Sequence, residues 1–269
     1  MTVVDSFVEW AHVELDQSEE AKGYLLGRGV SPDQWGRHRI GYVSSCYHPD
    51  SSIDPGHSLI CSDRKSVHKW CDSCRFTRWS SLWESDDENS PRTQFVGKRI
   101  IGCIVMPLTS YSGLTVGFQV RSIREKQFDS FALTRRPEGY FFGVAPNMDA
   151  IWSRKEAFAV EGPFDQLVFE RLVAPNVIGL TTNTPNAAQT RFFRRFVNSV
   201  GLFLDMDKAG RDGVEVFYEK MDGGPAVQDF KIEVKKPAGG KCKDANEAWS
   251  ALGDKRFAQH FLQTIERHL

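Results

Sequence analysis

Apolar positions along the chain change their period twice. Across residues 3–26, Phe7, Trp10, Ala11 and Leu15, with Glu14 among them, recur at helical spacing, and Ser18 leads into Tyr24-Leu25-Leu26. Gly27 and Gly29 end that stretch, and Ser31-Pro32-Asp33 predicts a further short helix, because serine caps and proline fits the first helical position. Residues 44–92 lose periodicity and are rich in Ser, Asp, Pro, His and Cys, which predicts an irregular insertion. Short apolar runs then predict strands at 100–108 and 114–120 with a turn at 110–113. Beyond residue 155 the chain alternates. Strands are expected at 157–160, 177–180, 200–204 and 230–234, and helices at 164–172, 187–197 and 210–221. That alternation implies a mostly parallel sheet flanked by helices. The fold class is α/β. Two domains are expected, divided near Pro146-Asn147-Met148-Asp149: residues 1–150, an α+β part carrying the insertion, and residues 151–269.

Composition narrows the picture modestly. The 269 residues are 41% hydrophobic, enough for a proper core, and 34 basic residues face 35 acidic ones. Such a balance gives no global attraction to nucleic acid, so any binding has to come from local basic patches. Asp5, Glu9, Glu14 and Asp16 interrupt the apolar run that a secretory leader needs. The longest apolar stretch, 100–108, is far too short to span a bilayer. A cytoplasmic protein without membrane contact is expected.

Three acidic features each follow an expected strand: Val160-Glu161-Gly162, Leu204-Asp205-Met206-Asp207-Lys208-Ala209-Gly210, and Lys243-Asp244-Ala245-Asn246-Glu247. In an open parallel sheet the carboxyl ends of the strands form one rim, where ligands bind. Asp205 and Asp207 are two apart and point the same way if strand geometry persists. Adjacent carboxylates repel, and a divalent cation relieves the repulsion. Oxygen donors without His or Cys favour Mg2+ or Mn2+ over zinc. Each acid alone is more simply an ordinary loop or helix-capping residue. All three together, in this order, point to a site.

These motifs resemble the Toprim domain shared by bacterial-type primases, topoisomerases, recombination mediators and some nucleases. Lys243-Asp244-Ala245-Asn246-Glu247 is especially similar to the third motif of bacteriophage primase–helicases. The resemblance extends upstream. Tyr24-Leu25-Leu26-Gly27-Arg28-Gly29-Val30, Ile40-Gly41-Tyr42, Val105-Met106-Pro107-Leu108, Gly113-Leu114-Thr115-Val116-Gly117-Phe118 with Arg121, and Tyr140-Phe141-Phe142-Gly143-Val144 occur in the order of the DnaG-type primase core. What the family implies is Glu161 as general acid/base or metal ligand, with Asp205, Asp207 and Asp244 binding divalent metal. Asp165 and Asn246 are further candidate ligands, and Asn246 stands where many bacterial primases carry Asp. Two departures concern phosphate binding. Cys103 stands where the family often has a basic residue, with Lys98 and Arg99 nearby, and Thr109-Ser110-Tyr111-Ser112 lacks the usual basic residue of that turn.

Basic residues are grouped locally. Arg64, Lys65, Lys69, Arg75 and Arg78 interleave with Trp70, Phe76 and Trp79; Arg135 and Arg136 precede the Toprim-like part; Arg191, Arg194 and Arg195 share an expected helix. Cation and aromatic mixtures suit single-stranded nucleic acid, and solvated faces account for such clusters equally well. Arg99, Arg121, Arg135, Arg136 and Lys208 are candidates for gripping phosphate. Cys71-Asp72-Ser73-Cys74 has the spacing of half a zinc site. Cys46 and Cys61 complete the simplest set, with His48, His57 and His68 as alternatives. A polar insertion this long needs a staple such as one structural Zn2+; a set of reduced, buried cysteines is the other reading.

The function implied is a primase-like nucleotidyltransferase, bacterial or phage-encoded, that makes short RNA primers on single-stranded DNA from nucleoside triphosphates, beside a separate replicative helicase. A Toprim nuclease and a binding module with a vestigial site are the alternatives.

Overall fold

A computed structural model of the chain describes residues 3–44, 102–124, 128–132 and 140–267. It divides into two compact units, the first comprising Met1–Tyr24, Trp35–Pro107 and Thr115–Arg135, the second Leu25–Gln34, Leu108–Leu114 and Arg136–Leu269.

The expected helix over 3–26 is two helices, α1 (Val3–Gln17) and α2 (Glu19–Gly27). Ser18 causes the division, since its Oγ accepts a hydrogen bond from the Ala21 amide at 3.2 Å and restarts the helix. Gly29 adopts a left-handed φ of 79° after α2, and α3 (Pro32–Arg37) begins on the expected proline. In the first unit β1 (Gly41–Tyr42), β2 (Cys103–Thr109), β3 (Thr115–Ser122) and β4 (Phe128–Ala132) form a sheet in that order, with β1–β2 and β3–β4 antiparallel. Phe7, Val8, Ala11 and Leu15 of α1 are fully buried, with Phe7 and Phe118 rings 4.9 Å apart. Helix and strand approach so closely that a Cβ on Gly41 would lie 2.5 Å from the Ala11 backbone.

The second unit holds α4 (Val144–Arg154), β5 (Glu156–Val160), α5 (Pro163–Leu172), β6 (Val177–Gly179), α6 (Ala187–Phe196), β7 (Ser199–Phe203), α7 (Lys208–Met221), β8 (Ala226–Asp229) and α8 (Ala245–Glu266). The strands pair in parallel in the order β6-β5-β7-β8. Ala157 and Ala159 of β5, with Val200 and Leu202 of β7, bury one face of the sheet against Phe192, Phe193 and Phe217. Phe158, Val160 and Phe203 bury the other against Phe169, Phe257 and Phe261. Burial on both faces explains why these strands read as continuous apolar runs.

Two expectations are corrected. Pro146 and its neighbours do not break the chain; they lie in the first turns of α4, where a proline forfeits no helical hydrogen bond. The strand expected at 230–234 lies earlier, as β8. Phe230, Ile232 and Val234 do alternate inward and are buried, yet their segment carries no ladder; alternation reports one-sided burial rather than pairing. Among the described residues no helix is long and apolar enough to cross a membrane.

Phe203 is 2% exposed, stacks on Phe230 at 4.8 Å and meets Phe169 and Phe261. Phe203→Ala should lower the unfolding free energy by about 3–5 kcal/mol, read as a shifted urea midpoint.

Candidate active site

Val160 at the end of β5 pairs with Phe203 at the end of β7, so the residues that follow each strand emerge side by side. Glu161 and Asp205 meet there: Glu161 Oε1 accepts a hydrogen bond from the Asp205 amide at 3.0 Å. The chain then turns into α7, which Asp207 caps by accepting from the Gly210 amide at 3.0 Å. A Cβ on Gly210 would lie 2.0 Å from the Asp205 carbonyl oxygen and 2.9 Å from Glu161 Oε1. Only glycine permits that approach of helix and strand end.

The third acidic motif docks on the same turn through its backbone. The Met206 amide donates to the Lys243 carbonyl at 2.8 Å, placing Lys243 beside the residue between the two aspartates. Lys243 Nζ lies 2.7 Å from Asp205 Oδ2 and 3.5 Å from Asp207 Oδ2. Asp244 caps α8 by accepting from the Glu247 amide at 2.7 Å, and Glu247 Oε2 accepts from the Lys243 amide at 2.8 Å. The ordinary helix-capping role therefore applies to Asp207 and Asp244 along with their place on the rim.

Asp165, in the first turn of α5, is buried and accepts from the Asn246 amide at 2.8 Å, while Asn246 Nδ2 donates to the Arg28 carbonyl at 2.8 Å. The Arg28 guanidinium lies 4.7 Å over the Phe164 ring, and its Nε is buried without a hydrogen-bond partner among the described residues. Residues 25–34 thus belong to this half of the protein, although they precede it by more than a hundred positions. Gln34 Nε2 adds a 2.6 Å bond to the Leu167 carbonyl.

Electrostatics follow from this crowding. Burial, then the charge of Asp205, raises Glu161 to about 7, against which the Asp205 amide pulls. Burial and the charges of Asp244 and Asp205 hold Asp165 well above the usual carboxylate range. Asp205 is raised by burial and pulled back by Lys243. Asp207, more exposed, is lowered chiefly by the Gly210 amide. The Asp205 carboxylate raises Lys243 far above an ordinary lysine.

Among the described residues no three His, Cys, Asp or Glu side chains converge as a ready-made metal cage. Mg2+ commonly takes only one or two protein carboxylates and completes its shell with water and substrate phosphate. The Asp205–Asp207 pair, which already straddles one cation in the form of the Lys243 ammonium, fits that requirement.

The basic candidates are scattered. Lys208 is exposed at the start of α7, beside Asp207. Arg121 lies on β3 in the other unit, its Nε buried without a hydrogen-bond partner among the described residues. On α6, Arg194 is engaged, donating to the Lys220 and Asp222 carbonyls at 3.0 and 2.6 Å; the Arg195 guanidinium lies 5.3 Å from the Phe196 ring centre, and Arg191 is exposed. Arg99, Arg135, Arg136, Cys46, Cys61, Cys71, Cys74, His48, His57 and His68 lie outside the described residues. Cys103 and Cys242 are buried, and among the described residues neither forms a disulfide. Sequence reasoning gave no role to Lys243 or Arg28; the signal was their place inside motifs whose other residues drew attention.

Residues 158–249 match a family described as Toprim-like. The match covers 92 of the 269 residues. No curated protein matches the chain. Among solved structures, a DNA primase domain from Pseudomonas aeruginosa is similar with a TM-score of 0.69 at 15% identity, over 98% of this chain and 77% of that one. A DnaG primase catalytic domain bound to ssDNA gives 0.66 at 16%, over 98% and 79%. The Aquifex aeolicus primase, comprising zinc binding and RNA polymerase domains, gives 0.66 at 17%, and this chain, 98% covered, spans 59% of its length. The fold around the Toprim-like domain is that of the DnaG catalytic core.

The raised Glu161 makes a testable statement. An unfolded glutamate loses its proton near pH 4.5, whereas folded Glu161 keeps it to about 7. Between those values the folded state holds the extra proton, so its stabilising effect is full below pH 4.5 and is lost as pH rises through 7. In chelator-treated buffer the urea midpoint of wild type should fall across this window, and Glu161→Gln should flatten that fall. An unchanged slope in the variant would show that Glu161 titrates normally.

Proposed function

We propose that the protein is a primase-like nucleotidyltransferase, synthesising short RNA primers on single-stranded DNA from nucleoside triphosphates with Mg2+ or Mn2+. The observation that carries this reading is the meeting of Glu161, Asp205, Asp207 and the Lys243-Asp244 motif at the carboxyl ends of β5 and β7, within a DnaG-core fold. The DNA-bound state of one structural relative supports nucleic acid as the partner.

Asp205 and Asp207 would hold divalent metal, with Asp244 on the neighbouring helix cap as a further oxygen donor. When bound, the metal supplies positive charge that offsets the negative charge developing on the transferring phosphate and the pyrophosphate leaving group. Glu161 would orient metal or assist proton transfer. Its Oε1 is held by the Asp205 amide, which leaves Oε2 to accept the proton of the attacking 3′ hydroxyl. Asp165 and Asn246 are joined to each other and to the Arg28 backbone, so their role is to fix the start of α8, and with it Asp244. Lys208, exposed beside Asp207, is the candidate within this unit for gripping phosphate, and Arg121 is one in the other unit.

Purified protein incubated with single-stranded DNA, labelled nucleoside triphosphates and Mn2+ should yield oligoribonucleotides. Shortened DNA would instead indicate a nuclease, and intact bound DNA a binding module. Asp207→Asn should reduce turnover by about 100-fold or more. Asparagine caps helices as well as aspartate does, so α7 should stay folded and the melting temperature should hold.

Affinity for single-stranded DNA should fall steeply between low and physiological salt, because bound phosphates release counterions. Arg191→Ala combined with Arg195→Ala should reduce that slope. A salt-independent affinity would remove the basic clusters as the binding surface.

A further inference from the structure

The Lys243 side chain of the third motif reaches both members of the Asp205–Asp207 pair. Its ammonium contacts Asp205 Oδ2 at 2.7 Å and Asp207 Oδ2 at 3.5 Å. The two carboxylates differ in surroundings: the Asp205 side chain is 12% exposed and the Asp207 side chain 46%. A nearly buried carboxylate without a counter-charge is unfavourable, and Glu161, Asp165 and Asp244 around it add repulsion rather than relief. Lys243 supplies the missing positive charge.

The backbone of Lys243 is clamped on both sides. Its carbonyl accepts from the Met206 amide, and its amide donates to Glu247 Oε2, each at 2.8 Å. Its side chain, by contrast, is 48% exposed and has room to leave. The result is a cation on a short tether, held at high effective concentration beside the aspartates yet able to swing into solvent.

We propose that Lys243 is a built-in place-holder for a divalent cation: it neutralises Asp205 and Asp207 while no metal is bound, and it has to be displaced when metal arrives. The proposal rests on the reading of Asp205 and Asp207 as metal ligands. It adds that affinity for free metal is set by competition with this lysine. In chemical terms the chain binds metal by cation exchange, and the released ammonium becomes available to an anionic group such as a triphosphate entering with the metal.

The test uses the full chain and Mn2+ alone, with free Mn2+ followed by electron paramagnetic resonance. Lys243→Met should bind Mn2+ about tenfold more tightly than wild type, the equivalent of one lost charge-assisted hydrogen bond competing for the site. Lys243→Arg, which keeps the charge, should stay close to wild type. In chelator-treated buffer Lys243→Met should melt below wild type, and Mn2+ should raise its melting temperature by more than it raises that of wild type. If Lys243→Met does not fold, Lys243→Gln, which retains a polar contact, replaces it in the same titration. Asp205→Asn, which should lose Mn2+ binding, separates the two ideas. Binding that depends on Asp205 but is equal or weaker in Lys243→Met overturns the place-holder and leaves the metal site standing. Failure of wild type and Lys243→Met alike to bind Mn2+ overturns both.

Discussion

Repulsion between carboxylates organises the rim of the parallel sheet. The parallel pairing of β5 with β7 forces Glu161 and Asp205 to emerge as neighbours, and the following turn adds Asp207. Burial by itself would make such a group of acids hold protons rather than charge. The structure answers with hydrogen bonds and with cations, Lys243 beside the aspartates and Arg28 acting on Asp165. The Asp205 amide faces Glu161, the Gly210 amide faces Asp207, the Asn246 amide faces Asp165, and the Lys243 ammonium lies between the two aspartates. Three of these four donors are backbone N–H groups, two of them at helix starts, where unpaired amides favour negative charge. The negative charge of the rim is therefore met largely by backbone amides, two of them at helix starts.

The sheet beneath can hold this arrangement because it is packed on both faces. Phe158 lies over Gly201, where a Cβ would come 2.6 Å from its ring, so the two central strands carry their aromatic layer without being pushed apart. Gly210 meets a comparable demand at the rim. The β5–β7 ladder fixes the separation of the two strands, and that separation brings the acids at their ends together.

Much of this was legible in the sequence, and the reasons are physical. Strands buried on both faces are short apolar runs, so β5, β6 and β7 stood out at nearly their observed bounds. Helices that begin on Asn186 and Asp207 carry their own start signals, whereas the helix that begins on Asp244 was not expected. The segment 230–234 was misplaced because Phe230, Ile232 and Val234 bury alternate side chains without joining a ladder, and a period of two cannot tell those cases apart. The helix over Pro146 was missed because proline ends helices but also starts them. Lys243 and Arg28 were not legible as partners of anything. Their roles depend on the Met206–Lys243 backbone bond and on the bond from the Asn246 side chain to the Arg28 carbonyl, which join positions 37 and 218 apart. Arg194 likewise reads as a free cation in sequence and is tied to the last turn of α7.

The contribution of residues 25–34 bears on how the protein is divided for practical work. The Toprim-like stretch looks from its sequence like a contiguous module that begins near residue 150. Yet the carbonyl of Arg28 receives the Asn246 side chain, the carbonyl of Gly29 receives Arg171, and the Trp249 ring fills the space over Gly29, where any Cβ would collide with it. A fragment cut at residue 150 would keep every acidic residue of the rim while exposing Trp249 and stripping the Asn246 amide group of its acceptor. The boundary that matters to a cloning scheme therefore follows a fold assembled from separated stretches of chain, and a shorter expression fragment has to begin before Leu25.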